Sequence, residues 1–305
     1  MFIAPSAWFT GFIPDLPTPF DAADAVDLKA FAALCERQIA VGAPAVLVCE
    51  TAGEAPTLSP AEQELIIRTA VDAARGRVRV IAGAVSNATS HAIELARRAE
   101  AAGADAVMSV VPAYNKPMQE GILAHFRAVA GATGLPVILH DVPSRTLRPL
   151  ADETLLRLAE SRQFAGLRDG SGDITRPMRL APHLPAGFRF LSSDDATAFA
   201  YVANGGDGAI SEVANIAPDL CRTIFSQVRQ GRLQSARYLH KRLIPLIGCL
   251  SRESPAALKY ALSVLGPMSA ATRLPIVPLE ATAQREVVRA FAAIADEELI
   301  DGVGA

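Results

Sequence analysis

The stretch LSPAEQELIIRTAVDAARGRVRVIAG, residues 58–83, holds one helix–strand unit of a larger alternation. Ser59 supplies a helix N-cap, Pro60 suits the first turn and Glu62 adds a carboxylate within that turn. The run VRVIAG (78–83) follows. It is largely apolar rather than alternating, which suits a strand buried on both faces, as in a parallel sheet.

Working outward, the same alternation recurs. Apolar runs GFIPDL (11–16), APAVLVC (43–49), ADAVMSVV (104–111), LPVILH (135–140), FAGLR (164–168), FRFLS (188–192) and DGAIS (207–211) are separated by longer amphipathic stretches. VGAPA (41–45) and AAGAD (101–105) mark helix ends that run straight into strands, with Gly103 as a helix stop. Eight evenly spaced units predict a (β/α)8 TIM barrel. A doubly wound open sheet is the alternative, and the absence of GxGxxG after the first strand weighs against it. From about residue 232 the pattern changes to LQSARYLHKRLIPLIGCL, SPAALKYALSVLG and EATAQREVVRAFAAIADEEL, three helical stretches without strands. The expected organisation is a barrel over 1–232 and a C-terminal helical domain over 233–305.

Composition narrows the function classes. Half of the 305 residues are hydrophobic, 20% are charged, and the net charge is −3. Without a basic field, nucleic acid is not an expected partner. The only lysines are Lys29, Lys116, Lys241 and Lys259, so amine chemistry has few candidates. Four cysteines without a CxxC argue against a zinc site or disulfide framework and fit free thiols in the cytoplasm. The N-terminal MFIAPSAWFTGFIP lacks a basic leader and is broken by Pro5 and Pro14, which reads as no signal peptide, and no run is long enough to span a membrane.

In a barrel of this kind, chemistry belongs at the C-terminal strand ends. Polar residues converge there. CETAGEA (49–55) offers Thr51 and backbone N–H groups to a carboxylate, or is a plain connecting loop. PAYNKP (112–117) sets Tyr114 between two prolines, as a proton relay or a packing residue. HDVPSRT (140–146) supplies His140, Asp141 and Arg145; adjacent strand residues face opposite ways, so His140 and Asp141 cannot both face inward. Arg145 suits a carboxylate clamp or the plain surface. A metal held by His140 with Glu50 or Asp194 lacks any recurring ligand spacing, and none is expected. SSDDA (192–196) reads as a helix cap.

Together TPF (18–20), TAGE (51–54), PAYNKP, VPSRT (142–146), SSDDA, GGDGAISEVAN (205–215) and the helical tail resemble the dihydrodipicolinate synthase / N-acetylneuraminate lyase family of class I aldolases, over nearly the whole chain. The resemblance implies a (β/α)8 barrel with a helical tail, a homodimer or homotetramer, and chemistry on pyruvate-type 2-oxo acids through a lysine Schiff base at the end of strand six, with no cofactor. It also implies that Tyr114 and Thr51 join a proton relay, that Ala52 and Ile210 line the substrate site, and that Arg145 meets a substrate carboxylate. The Schiff-base position matches Arg168, and a tyrosine position matches His140. Glu50 and Ser193 stand where glycine is frequent, and Ala52 stands where a second hydroxyl is usual.

An arginine has no free lone pair and does not deprotonate, so it cannot form an imine. A buried cation needs a partner, and Glu50 is the expected one, across the barrel mouth. Three readings follow. The first is a non-catalytic or repurposed binder of small carboxylates. The second is a diverged non-covalent lyase or hydratase on a 2-oxo or hydroxy acid that uses Arg168 and His140. The third is retained 4-hydroxy-tetrahydrodipicolinate synthase or aldolase activity. The first is the main expectation from sequence.

Overall fold

The computed structural model describes residues 8–266 and 268–301. The leader reading rests partly on residues 1–7, which lie outside the described residues, as do 302–305 at the end of the tail.

Strands and helices alternate from the start. They are β1 (Gly11–Pro14), α1 (Leu28–Ala40), β2 (Ala45–Val48), α2 (Pro60–Ala74), β3 (Arg79–Gly83), α3 (Thr89–Ala101), β4 (Ala106–Val110), α4 (Gln119–Ala130) and β5 (Val137–Asp141). Next come the short α5 (Pro143–Thr146), α6 (Asp152–Ala159), β6 (Phe164–Asp169), α7 (Arg176–Leu180), β7 (Arg189–Ser192), α8 (Ala198–Ala203) and β8 (Gly208–Ser211). All ladders are parallel, in the order β1-β8-β7-β6-β5-β4-β3-β2. First and last strands pair, so the sheet curls into a ring. The seam between β1 and β2 is closed by an isolated bridge of Asp15 with Leu47, where the Leu16 N–H donates to the Leu47 carbonyl at 2.9 Å. The expected (β/α)8 barrel is therefore present, and the open-sheet alternative is not.

The apolar runs explain this burial. Alternate residues, among them Ile13, Leu47, Ile81, Met108, Ile138 and Leu191, fill the barrel interior, while their neighbours pack under the helices. The capping box at α2 forms as the sequence implies: Ser59 Oγ accepts from the Glu62 N–H at 3.2 Å, and Glu62 Oε2 accepts from the Ser59 N–H at 2.8 Å.

After β8 the chain is helical through α9 (Pro218–Arg229), α10 (Leu233–Glu253), α11 (Ala256–Leu265) and α12 (Ala281–Asp301). The tail is pinned to the β2 loop by buried Lys259, whose Nζ lies 2.5 Å from Glu54 Oε1 and 4.0 Å over the Phe20 ring. This docking brings the end of α10 over the C-terminal face of the barrel, where Ile247, Leu250, Ser251 and Ser254 line a cavity.

Candidate active site

The cavity, of about 360 Å³, opens at the C-terminal strand ends. Its lining includes Thr51, His140, Arg145, Arg168, Ser193 and Ile210. A smaller cavity of about 200 Å³ at the opposite end is lined mainly by apolar residues such as Phe12, Pro44 and Phe225, and offers little acid–base chemistry.

Strand register places the central pair. His140 on β5 lies opposite Arg168 on β6, and Asp141 lies opposite Asp169. The pleat sends the first pair inward and the second outward, as the alternation rule requires. Glu50 arrives from the turn after β2. That turn begins at Cys49 with φ of 56°, and its carbonyl lies where a side chain on Gly83 would be, 1.9 Å from the Cβ position. Only glycine at 83 lets the turn close this tightly.

The ion pair expected across the barrel mouth is formed: Arg168 Nη1 donates to Glu50 Oε2 at 2.8 Å. The same nitrogen lies 3.0 Å from Asp15 Oδ2, though without hydrogen-bond alignment, and Arg168 Nε donates to Ser193 Oγ at 3.0 Å. Nη2 makes none of these contacts. The other Glu50 oxygen, Oε1, is 2.8 Å from His140 Nδ1, and His140 Nε2 is 3.4 Å from Ser193 Oγ. Asp15, Glu50 and His140 are all but fully buried.

The electrostatics follow from this crowding. Burial opposes a charge on Glu50, but the imidazole and guanidinium beside it prevail and hold its carboxyl well below the usual range. An ionised Glu50 only accepts, so the proton of neutral His140 sits on Nδ1 and Nε2 keeps its lone pair. Burial lowers the His140 pKa by more than Glu50 raises it, which keeps the ring neutral. Burial likewise opposes the charge on Arg168, and Asp15 and Glu50 reverse that effect. Asp15 shares its one cation with Glu50 and is pushed up to about 7 by burial.

The structure thus gathers His140, Arg168 and Glu50, with Thr51, Arg145 and Ile210 on the cavity wall. Ala52 is fully buried and is not among the lining residues. Tyr114 is 88% exposed and stands on the outer surface, away from this chain's cavity. Asp15 carried no expectation from sequence. SSDDA is not the simple cap it resembles. Asp195 Oδ2 accepts from the N–H groups of Glu212 and Val213 after β8, α8 begins without a side-chain cap, and Ser193, Asp194 and Asp195 line the cavity.

The match to the Dihydrodipicolinate synthetase family spans residues 8–294. The chain belongs to that family. It is 44% identical over 287 residues to the 4-hydroxy-tetrahydrodipicolinate synthase of Hyphomonas neptunium, covering 93% of this chain and 98% of that one. It is also 44% identical to the synthase of Acidiphilium cryptum, covering 90% and 94%. Among solved structures, dihydrodipicolinate synthase from Aquifex aeolicus superposes with a TM-score of 0.90 at 34% identity, covering 93% and 97%. The pyruvate complex of the chloride-inhibited synthase from Acinetobacter baumannii gives 0.90 at 36%, covering 94% and 99%. These relatives correct the main expectation drawn from sequence. A non-catalytic binder is overturned by synthases this similar over nearly their whole length, and retained synthase activity is the reading they support. The departures at Arg168, His140, Glu50, Ala52 and Ser193 are confined to the site and do not outweigh a likeness that runs through the rest of the chain.

Proposed function

We propose that the protein forms carbon–carbon bonds on a pyruvate-type 2-oxo acid, retaining the 4-hydroxy-tetrahydrodipicolinate synthase activity of its relatives. The observation that carries this reading is Arg168, a permanent cation on the cavity wall with Nη2 uncommitted, beside a neutral imidazole. Arg168 matches the family's Schiff-base lysine, so carbonyl activation here is non-covalent. Nη2 donates to the ketone oxygen and stabilises the negative charge that develops there, while His140 Nε2 takes a proton from the adjacent carbon. The resulting enolate carbon bonds to the carbonyl carbon of an aldehyde acceptor whose carboxylate meets Arg145. The aldehyde C=O opens to an alkoxide, and the His140 imidazolium returns its proton to that oxygen. The 44% identity to named synthases supports the reaction class, and the free edge of Arg168 supports this route.

The test pairs turnover with trapping. Pyruvate and an amino-aldehyde are supplied together and pyruvate loss is followed. In parallel, the protein is reduced with borohydride in the presence of pyruvate and weighed intact. Pyruvate consumption without a covalent adduct is expected. No consumption with any aldehyde offered removes the reading, and an adduct on a lysine removes the non-covalent route.

The same reading includes a homo-oligomer. Exposed Tyr114, Met118 and Leu147 lie on neighbouring loops joined by the Arg148 side chain and the Lys116 carbonyl, a patch suited to a second copy of this chain. Light scattering should return a dimer or tetramer. Among the described residues no helix is long and apolar enough to cross a membrane. All four thiols are buried and free, which supports a cytoplasmic setting.

A further inference from the structure

Glu50, His140 and Ser193 form a continuous carboxylate–imidazole–hydroxyl chain: 2.8 Å from Glu50 Oε1 to His140 Nδ1, then 3.4 Å from His140 Nε2 to Ser193 Oγ. Each link has one chemical sense. The ionised carboxylate fixes the proton on Nδ1, and the Nε2 lone pair is left to receive the serine proton. The second distance is longer than an ideal hydrogen bond, as in many unliganded acyl-transfer sites. Ser193 itself is well anchored, because its N–H donates to the Asp169 carbonyl at 2.8 Å. Ser193 is among the residues that line the cavity. Arg168 completes the set: Nε donates to Ser193 Oγ at 3.0 Å, Nη1 is taken by Glu50 and Asp15, and among the described residues Nη2 of the same group makes no hydrogen bond. A nucleophile, a base, a group orienting the base and an anion-stabilising donor therefore meet at one wall of the cavity.

We propose that Ser193 is a nucleophile and that the cavity also cleaves small carboxylic esters bearing a second, anionic group. Ser193 Oγ bonds to the acyl carbon as its proton passes to His140 Nε2. The oxyanion takes the hydrogen bond of Arg168 Nη2. The bond to the alcohol oxygen then breaks, and the imidazolium returns its proton to that oxygen. Water repeats the sequence and releases the carboxylic acid and free Ser193. Arg145, exposed at the rim, receives the anionic group. A serine that merely fills space left by glycine would show no such reactivity.

The experiment needs neither pyruvate nor an aldehyde, so its outcome is separate from that of the carbon–carbon reading. The intact protein is treated with diisopropyl fluorophosphate, weighed, and digested for peptide mapping. A single adduct on Ser193 is expected. It should be absent in Ser193→Ala and form at least about 100-fold more slowly in His140→Gln. A folded protein that stays unlabelled overturns the proposal. So does a label on another residue, or one that forms undiminished in His140→Gln. Should His140→Gln fail to fold, Ser193→Cys gives an independent reading against iodoacetamide, since the native thiols are buried. Alkylation governed by a thiol pKa near 7 or below is expected, and an ordinary value of about 8.5 overturns the proposal.

Discussion

Strands β5 and β6 carry two rows of charge, one residue apart and on opposite faces. The outer row is saturated. Arg176 Nη1 donates to Asp141 at 2.8 Å and to Asp169 at 3.3 Å, its Nε to Asp152 at 2.9 Å and its Nη2 to the Leu150 carbonyl at 2.6 Å. Asp169 also accepts from the Tyr201 hydroxyl at 3.0 Å, and Asp141 from the Leu150 N–H at 3.0 Å. The inner row is left incomplete. His140 Nε2 has only a long contact, and among the described residues Arg168 Nη2 makes no contact of this kind. Buried polar groups are nearly always satisfied, so groups left incomplete around a cavity are available to a ligand. The same two strands thus brace the barrel with one face and leave reactive groups on the other.

The largest expected effect breaks the outer row. Arg176→Leu strands two buried carboxylates and should cost about 3–5 kcal/mol in chemical denaturation. Arg168→Gln should cost less stability, because Asp15 can neutralise itself by taking a proton, yet it should lower kcat for pyruvate consumption by about 100- to 1000-fold. Equal losses of stability in the two variants would erase the contrast. Asp15→Asn sharpens it through pH. The folded-state pKa of Asp15 is raised to about 7 from an ordinary 3.8, so its stability contribution is full below about 4 and is lost as pH rises to 7. Asp15→Asn should therefore match the parent near pH 4 and exceed it by up to about 4 kcal/mol at pH 8. A constant difference across that range would place the titration elsewhere. The smallest effect belongs to the rim: Arg145→Ala should raise the KM of the aldehyde partner about tenfold with kcat little changed, a loss of about 1.4 kcal/mol.

Much of this architecture is written in local sequence. Unbroken apolar runs announce strands buried on both faces, and Ser59 and Glu62 announce the start of α2 by chemistry confined to four residues. Glu50, His140 and Arg168 are legible because each is a polar residue closing an apolar run. Asp15 was missed because a single acid beside Pro14 resembles the start of a turn, and its partner on β6 is distant in sequence. Asp195 was misread because an acid ahead of an apolar stretch is the usual sign of a cap, whereas here it binds backbone N–H groups beyond β8. The link from Ser193 to His140 crosses from β7 to β5 over the barrel mouth, and no sequence spacing encodes it.

The bridge of Asp15 with Leu47 joins two of these themes. The residue that stitches the circle of strands shut also faces the guanidinium of the cavity. Occupancy of the cavity and tightness of the seam should then rise and fall together. The Leu16 amide, donating across that seam, becomes a built-in reporter whose deuterium uptake slows when an anion sits against Arg168.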